Sequence, residues 1–215
     1  MISSLSSDLA KVDFSSDANV HSIREKLAEI INLMHGHASH ENSSIHALLE
    51  NKGSSVHKKI EAEHSSHADT FKKLNQLLTA VLESWDPVQK IELGYQFYLG
   101  YQCFEAENLL HQLYEETVIM PEIQRLYTDE EILAKVDAKT YALMTPDQMV
   151  DMIKVLFPYF NADDREAFLR DIYKSEPVKF REAWKGIATI LEAAERKQLI
   201  ARLGIQFENE SAPMV

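Results

Sequence analysis

With 34 acidic and 22 basic side chains among 215 residues, the chain carries a net charge of −12, which leaves no basic surplus for phosphates and argues against a nucleic-acid partner. A hydrophobic share of 45% suffices for a real core, yet no run approaches the ~20 apolar residues of a membrane span, so no membrane partner is expected. The single Cys103 excludes an internal disulfide or a cysteine-held cluster, and the start MISSLSSDLAK lacks the basic and apolar segments of a signal peptide; both fit a cytoplasmic location.

Six glycines and six prolines punctuate the chain and no strand-like alternation persists, so the class is all-α. Ile2, Leu5, Leu9 and Val12 recur at steps of three and four, predicting a short amphipathic helix over 2–12. Ser15 or Ser16 with Asp17 restarts the chain. A long helix follows over about 18–51, with Ile23, Leu27, Ile30, Ile31 and Met34 on its apolar face and Gly53 suited to a left-handed cap. The next helix, about 54–84, has a stripe of His57, Ile60, His64, His67, Phe71, Leu74, Leu78 and Val81, the seam of a bundle. Asp86-Pro87 opens a helix that runs to about 127. Shorter helices come after it, with capping boxes at Thr128/Glu131 and Thr145/Gln148 and further caps at Asn161 and Ser175, ending near Gly204. The organisation read from this is a four-helix bundle over 1–127, a smaller helical region over 128–205 and a flexible tail over 206–215.

One pattern occurs twice. His37 is followed four residues later by Glu41 and eight later by Ile45; His111 is followed in the same way by Glu115 and Ile119. Positions i and i+4 share a helix face, so each block offers an imidazole and a carboxylate together. Extending the stripe of the second helix lands on His37 and Glu41, and Phe104, Asn108, His111, Glu115 and Val118 fall on one seam of the fourth. A buried, unpaired carboxylate has to be neutralised, paired or metal-bound. Two such glutamates beside the seam histidines His64 and His67 point to a cation, and this donor set suits iron or manganese. The competing reading of His37, Glu41, His111 and Glu115 is a buried hydrogen-bonded network.

Across the Gly53 turn, His37/Glu41 and His64/His67 lie at similar heights. Across the next connection, His111/Glu115 are displaced by roughly 9–12 Å at 1.5 Å per residue. A longer non-helical connection, or a bend near Gly94 or Gly100, must absorb that. His57 and His67 read as seam or orienting residues, and His35, His40 and His46 as surface or orienting groups. Cys103, Trp85, Trp184 and the series Tyr95, Tyr98, Tyr101 read as packing residues.

The blocks HASHENSSIHALLE and HQLYEETVIMPEI resemble the two His-x-x-x-Glu signatures of hemerythrin-like (HHE cation-binding) proteins. EAEHSSHADTFKKL resembles that family's third-helix entry, and YTDEEI with TPDQMVDMIKVLFPYFNADDREAFL resembles a helical extension of one bacterial branch. The resemblance implies a hemerythrin-like four-helix up-down bundle with a short first helix and a non-haem di-iron centre. Glu41 and Glu115 would bridge the irons, with His37, His64 and His111 as terminal ligands. It implies binding of O2, or of another small diatomic molecule or peroxide, for carriage or for sensing oxygen, iron or redox state.

One departure stands out. The family places a ligand histidine on its first helix, and residues 1–17 contain none. Either the natural start lies upstream, or the site lacks a ligand that water, His67 or another histidine replaces. One metal per chain, or manganese, is the alternative cofactor. A di-iron enzyme acting on peroxide or nitric oxide, and a metal-poor structural relative, are the alternative functions. Apolar surface left by the short first helix suits a homodimer.

Overall fold

The computed structural model describes residues 1–205, side chains at 137 and 138 excepted; the tail expected over 206–215 lies outside the described residues. The described residues are helical throughout, without a strand, and divide into two units, Met1–Leu126 and the chain from Tyr127 onward.

In the first unit, α1 is Ile2–Leu9. Helix α2 runs over Asp17–His40, through a π turn at Glu41–Ile45, into His46–Asn51. Helix α3 is Lys58–Glu83. Helix α4 runs over Pro87–Tyr114, through a second π turn at Glu115–Ile119, into Met120–Leu126. Gly53 ends α2 at φ 75°, a conformation open to glycine because it lacks a Cβ. The Asp86 side chain accepts from Val88 N–H at the start of α4, with Pro87 in the first turn.

The stripes turn inward as their spacing predicts. Leu5 and Leu9, Ile23, Leu27 and Ile30, Phe71, Leu74 and Leu78, and Phe97, Tyr101 and Phe104 form one core, each such side chain contributing about 1.5–3 kcal/mol of burial. Tyr101 OH donates to Ile2 O at 3.0 Å and so ties α1 to α4. Helices α2 and α3 run antiparallel, since His37 packs against His64 while His46 packs against His57. Helices α3 and α4 do too, with Phe71 on Phe104 and His64 on His111. The C-terminal halves of α2 and α4 therefore meet the N-terminal half of α3, and the histidines gather there.

The displacement across the α3–α4 connection is absorbed without a bend, since α4 is unbroken through Gly94 and Gly100. Ser84 and Asp86 are instead extended, and three residues of extended chain advance ~10 Å. The first turn of α4 thereby overhangs the end of α3 and brings Phe104 level with Phe71 and His111 level with His64. Trp85, on this connection, is 98% exposed rather than packed, and Tyr95 and Cys103 face outward on α4. Tyr101 alone of the three tyrosines is fully buried.

The second unit comprises α5 (Asp129–Ile132, a π turn over Leu133–Asp137, then Ala138–Leu143), α6 (Pro146–Leu156), α7 (Ala162–Ser175), α8 (Pro177–Ile190) and α9 (Ala193–Leu203). Both capping boxes form, and Asn161 accepts from the N–H groups of Asp163 and Asp164. Ser175 is not a cap. It is the last residue of α7, because Pro177 can start α8 without an N–H and Glu176 takes the N-cap position. Phe157, Leu169, Phe180, Trp184 and Ile187 form a separate core.

Candidate metal centre

Both His-x-x-x-Glu blocks share one local device. The histidine sits in the last regular turn, and the π turn begins at the glutamate, at Glu41 in α2 and at Glu115 in α4. A π turn inserts an extra residue into the helix and re-aims the side chains beyond it, and such turns recur at functional sites. The insertion also moves the α2 seam on by one, so that His46, rather than Ile45, is the buried residue after Glu41. His46, read from sequence as a surface or orienting group, is 2% exposed for that reason.

The five side chains singled out by sequence come together. His37, Glu41, His64, His111 and Glu115 each offer a ligand atom, all within 4.8 Å of one another. His111 Nε2 lies 2.9 Å from Glu115 Oε1, and His64 Nε2 lies 3.3 Å from Glu41 Oε2. His37 Nε2 stands between the carboxylates, 3.4 Å from Glu41 Oε1 and 3.7 Å from Glu115 Oε1. Helices α2, α3 and α4 supply all five, and α1 supplies none.

Two neighbours aim the rings. Asn42 Oδ1 lies 3.1 Å from His64 Nδ1, and Glu63 Oε2 lies 2.9 Å from His111 Nδ1. Each acceptor holds the ring proton on Nδ1 and leaves the Nε2 lone pair facing the cluster, the tautomer a metal ligand needs. Both orienting residues went unread in the sequence, although each adjoins a residue of the cluster. Phe71, Phe104 and Tyr101 pack beneath the histidines, with Phe104 5.3 Å from His67 and 4.8 Å from Phe71 between centroids.

The donor atoms face one another. Glu41 Oε2, His64 Nε2, His111 Nε2 and Glu115 Oε1 are buried, make no well-formed hydrogen bond among the described residues, and meet as two imidazole–carboxylate pairs, Glu41 with His64 and Glu115 with His111. With His37 they bring three imidazoles and two carboxylates within 4.8 Å of one another, a donor set that suits a shared cation. Beside them lies a cavity of about 200 Å³, lined by Glu41, His46, Glu115 and Glu116 with Ile45, Ile60, Ile119 and Met120.

Protons and carboxylates are matched within the cluster. Burial alone would lift the Glu115 carboxyl, but His111 and His37 outweigh it and hold the group well below the usual carboxylate range. Burial would likewise lower His37 and His111; Glu115 and Glu41 outweigh it at His37, and Glu115 and Glu63 at His111, so both imidazoles are raised. His67 differs: burial, then His111 and His64, push it to about 4. It is a neutral ring 5.5 Å from His111, at the edge of the site.

The fold and the cluster define an all-α protein carrying a His/Glu constellation able to hold a metal ion. Among models of known protein families, curated proteins and solved structures, none matches the chain.

Proposed function

We propose that the chain is a hemerythrin-like protein whose first unit is a four-helix up-down bundle, with α1 as its short first helix. It binds non-haem iron as a di-iron centre and uses it to bind O2 or to sense oxygen, iron or redox state. Glu41 and Glu115 bridge the two ions, and His37, His64 and His111 hold them at the sides. The convergence of three imidazole and two carboxylate donors, all within 4.8 Å of one another, carries this proposal. Imidazole and carboxylate together suit iron or manganese.

Bound iron would supply a redox-active Lewis acid able to take a small ligand. The chain supplies the rest. Asn42 and Glu63 fix the ring tautomers, the aromatic layer below keeps water from the core side, and the cavity beside Glu41 and Glu115 admits something the size of O2 or peroxide. Its walls are apolar on one side, Ile45, Ile60, Ile119 and Met120, and polar on the other, Glu41, His46, Glu115 and Glu116.

A di-iron enzyme acting on peroxide or nitric oxide is the second reading. What favours it is that α1 adds no ligand, so coordination positions stay open. Anaerobic loading with Fe(II), metal analysis and cycling between O2 and argon separate the possibilities. Two irons per chain with a reversible absorption change support carriage or sensing, whereas sustained peroxide turnover supports the enzyme. A chain that takes up no iron or manganese is the metal-poor relative, and the proposal fails.

Assembly belongs to the same proposal, as a homodimer through the outer face of α4. Val88, Ile91, Tyr95, Leu99, Leu110 and Leu113 lie exposed along it, with Glu92, Glu107 and Glu116 as exposed charges beside them. The spacing is self-complementary about the middle of the helix. A two-fold there sets Val88 against Leu113, Ile91 against Leu110 and Tyr95 against the small Ala106, as an isologous interface requires.

A further inference from the structure

The His-x-x-x-Glu spacing also occurs on each side of the Gly53 turn. His46 precedes Glu50 by four residues at the end of α2, and His57 precedes Glu61 by four at the start of α3. Because α2 and α3 are antiparallel neighbours, the two pairs face each other. His57 Nε2 lies 3.3 Å from Glu50 Oε1 and 4.0 Å from Glu61 Oε1, and His46 Nδ1 lies 3.6 Å from the same Glu61 oxygen. Glu50, His57 and Glu61 each offer a ligand atom, all within 4.8 Å of one another.

The rings are not ordinary surface histidines. His57 is 1% exposed, and neither of its nitrogens has a hydrogen-bond partner among the described residues; His46 Nδ1 is equally buried and unsatisfied. The glutamates, by contrast, reach solvent, Glu50 at 64% and Glu61 at 44%. Two buried imidazoles thus look outward at two solvent-facing carboxylates, a polar mouth with unsatisfied nitrogens behind it. From that mouth the rings continue inward. His57 and His46 centroids are 5.3 Å apart, and His46 stacks on His64 of the inner cluster at 6.0 Å and 15°. Tyr114 OH, donating to Val56 O at 3.2 Å, ties this turn to α4.

We propose that Glu50, His57 and Glu61, with His46 behind them, form a second divalent-cation site that captures the ion from solvent and hands it inward past His46. Two carboxylates and one imidazole suit Mn(II), Fe(II) or Zn(II). Exposed carboxylates make this the weaker and faster site. The hand-over rests on the inner cluster being a metal centre; the outer site does not.

Mn(II) is the probe, its bound equivalents counted by equilibrium dialysis and its uptake followed by stopped-flow electron paramagnetic resonance on the full chain. The wild type binds the inner ions and one further, weaker ion. Glu50→Gln alone, at a 64% exposed position, leaves helicity and melting unchanged and weakens the outer class by about 10-fold or more. Glu50→Gln with Glu61→Gln abolishes it and slows filling of the inner class without lowering its capacity. Glu41→Gln with Glu115→Gln does the reverse, losing the inner ions and keeping the outer one. Wild-type stoichiometry and uptake in the Glu50/Glu61 variant overturn the outer site and leave the inner one standing. Loss of every ion in the Glu41/Glu115 variant likewise overturns the outer site. Loss of the outer class with uptake unchanged overturns the hand-over.

Discussion

Glu63 Oε2 sits 2.9 Å from Nδ1 of the fully buried His111, and this contact turns the far side of the ring toward Glu115. The side chain that aims a ligand thus comes from a different helix than the ligand itself. Glu63→Gln keeps an acceptor oxygen but removes the charge behind the ring, and Glu63→Ala removes both. Metal affinity should fall about 10–100-fold for Ala, and less for Gln. Dialysis against a competing chelator checks this, and equal affinity in all three proteins contradicts the orienting role.

Glu41→Ala or Glu115→Ala should each lose most bound metal, because either change removes a carboxylate that reaches the shared centre. Full metal content in both variants would sink the bridging assignment.

Metal uptake should depend on pH in a definite direction. His37 and His111 are raised above the ordinary imidazole value, and only the neutral ring can ligate. Affinity should therefore keep climbing as pH rises above about 6.5, levelling off only past the raised values. Glu115, held low, stays ionised throughout, and His67, at about 4, does not compete. A titration flat between about pH 6 and 8 contradicts this.

The metal-free protein should show the opposite slope. Raised histidines contribute stability that is present below their unfolded value of about 6.5 and is lost as pH rises through the folded one. The depressed Glu115 contributes stability present above about 4.3 and lost on acidification through its folded value. The stability difference between metal-free wild type and Glu115→Gln should thus be largest between about pH 4.5 and 6.5 and shrink on either side. His67, depressed to about 4, works against this slope, but it does so in both proteins and drops out of the difference. Urea melts across the range give the answer.

Two glycines of α4 should respond differently to alanine. A Cβ at Gly94 would clash with Cβ and Cγ of Phe14, so Gly94→Ala should destabilise by about 1–3 kcal/mol through overpacking. At Gly100 the nearest atom is the flexible tip of Leu74, 3.2 Å away. There the better helix propensity of alanine should leave stability unchanged or raise it by up to about 1 kcal/mol. Paired thermal melts decide the matter.

If the outer face of α4 joins two copies, Ile91→Glu with Leu110→Glu should produce monomers in sedimentation velocity while helicity is retained. A wild type that is monomeric at high concentration contradicts the homodimer.

Much of this protein was legible along the chain. Spacing of three and four marked the inward faces of α1 to α4, and Thr128, Thr145, Asn161, Gly53 and Gly204 marked helix ends by chemistry that acts within a few residues. Four of the cluster residues were legible too, since an imidazole and a carboxylate four apart share a helix face whatever surrounds them, and His64 was legible from its place on the α3 stripe. Ser175 misled because the proline two residues on, rather than a hydroxyl, sets where α8 begins.

What the chain order alone determined, then, is that α2 and α4 each carry an imidazole and a carboxylate on an apolar face. Only the tertiary structure decided where those faces stop. The π turns shift the seam by one residue and bury His46, and the extended Ser84–Asp86 link raises α4 until His111 meets His64. Trp85, on that link, is left exposed to solvent. A single inserted residue or a three-residue rise barely alters local periodicity, yet each re-aims every side chain after it. That is why the donors could be named from the sequence, while their convergence, the residues that orient them and the histidine path behind Glu50 could not.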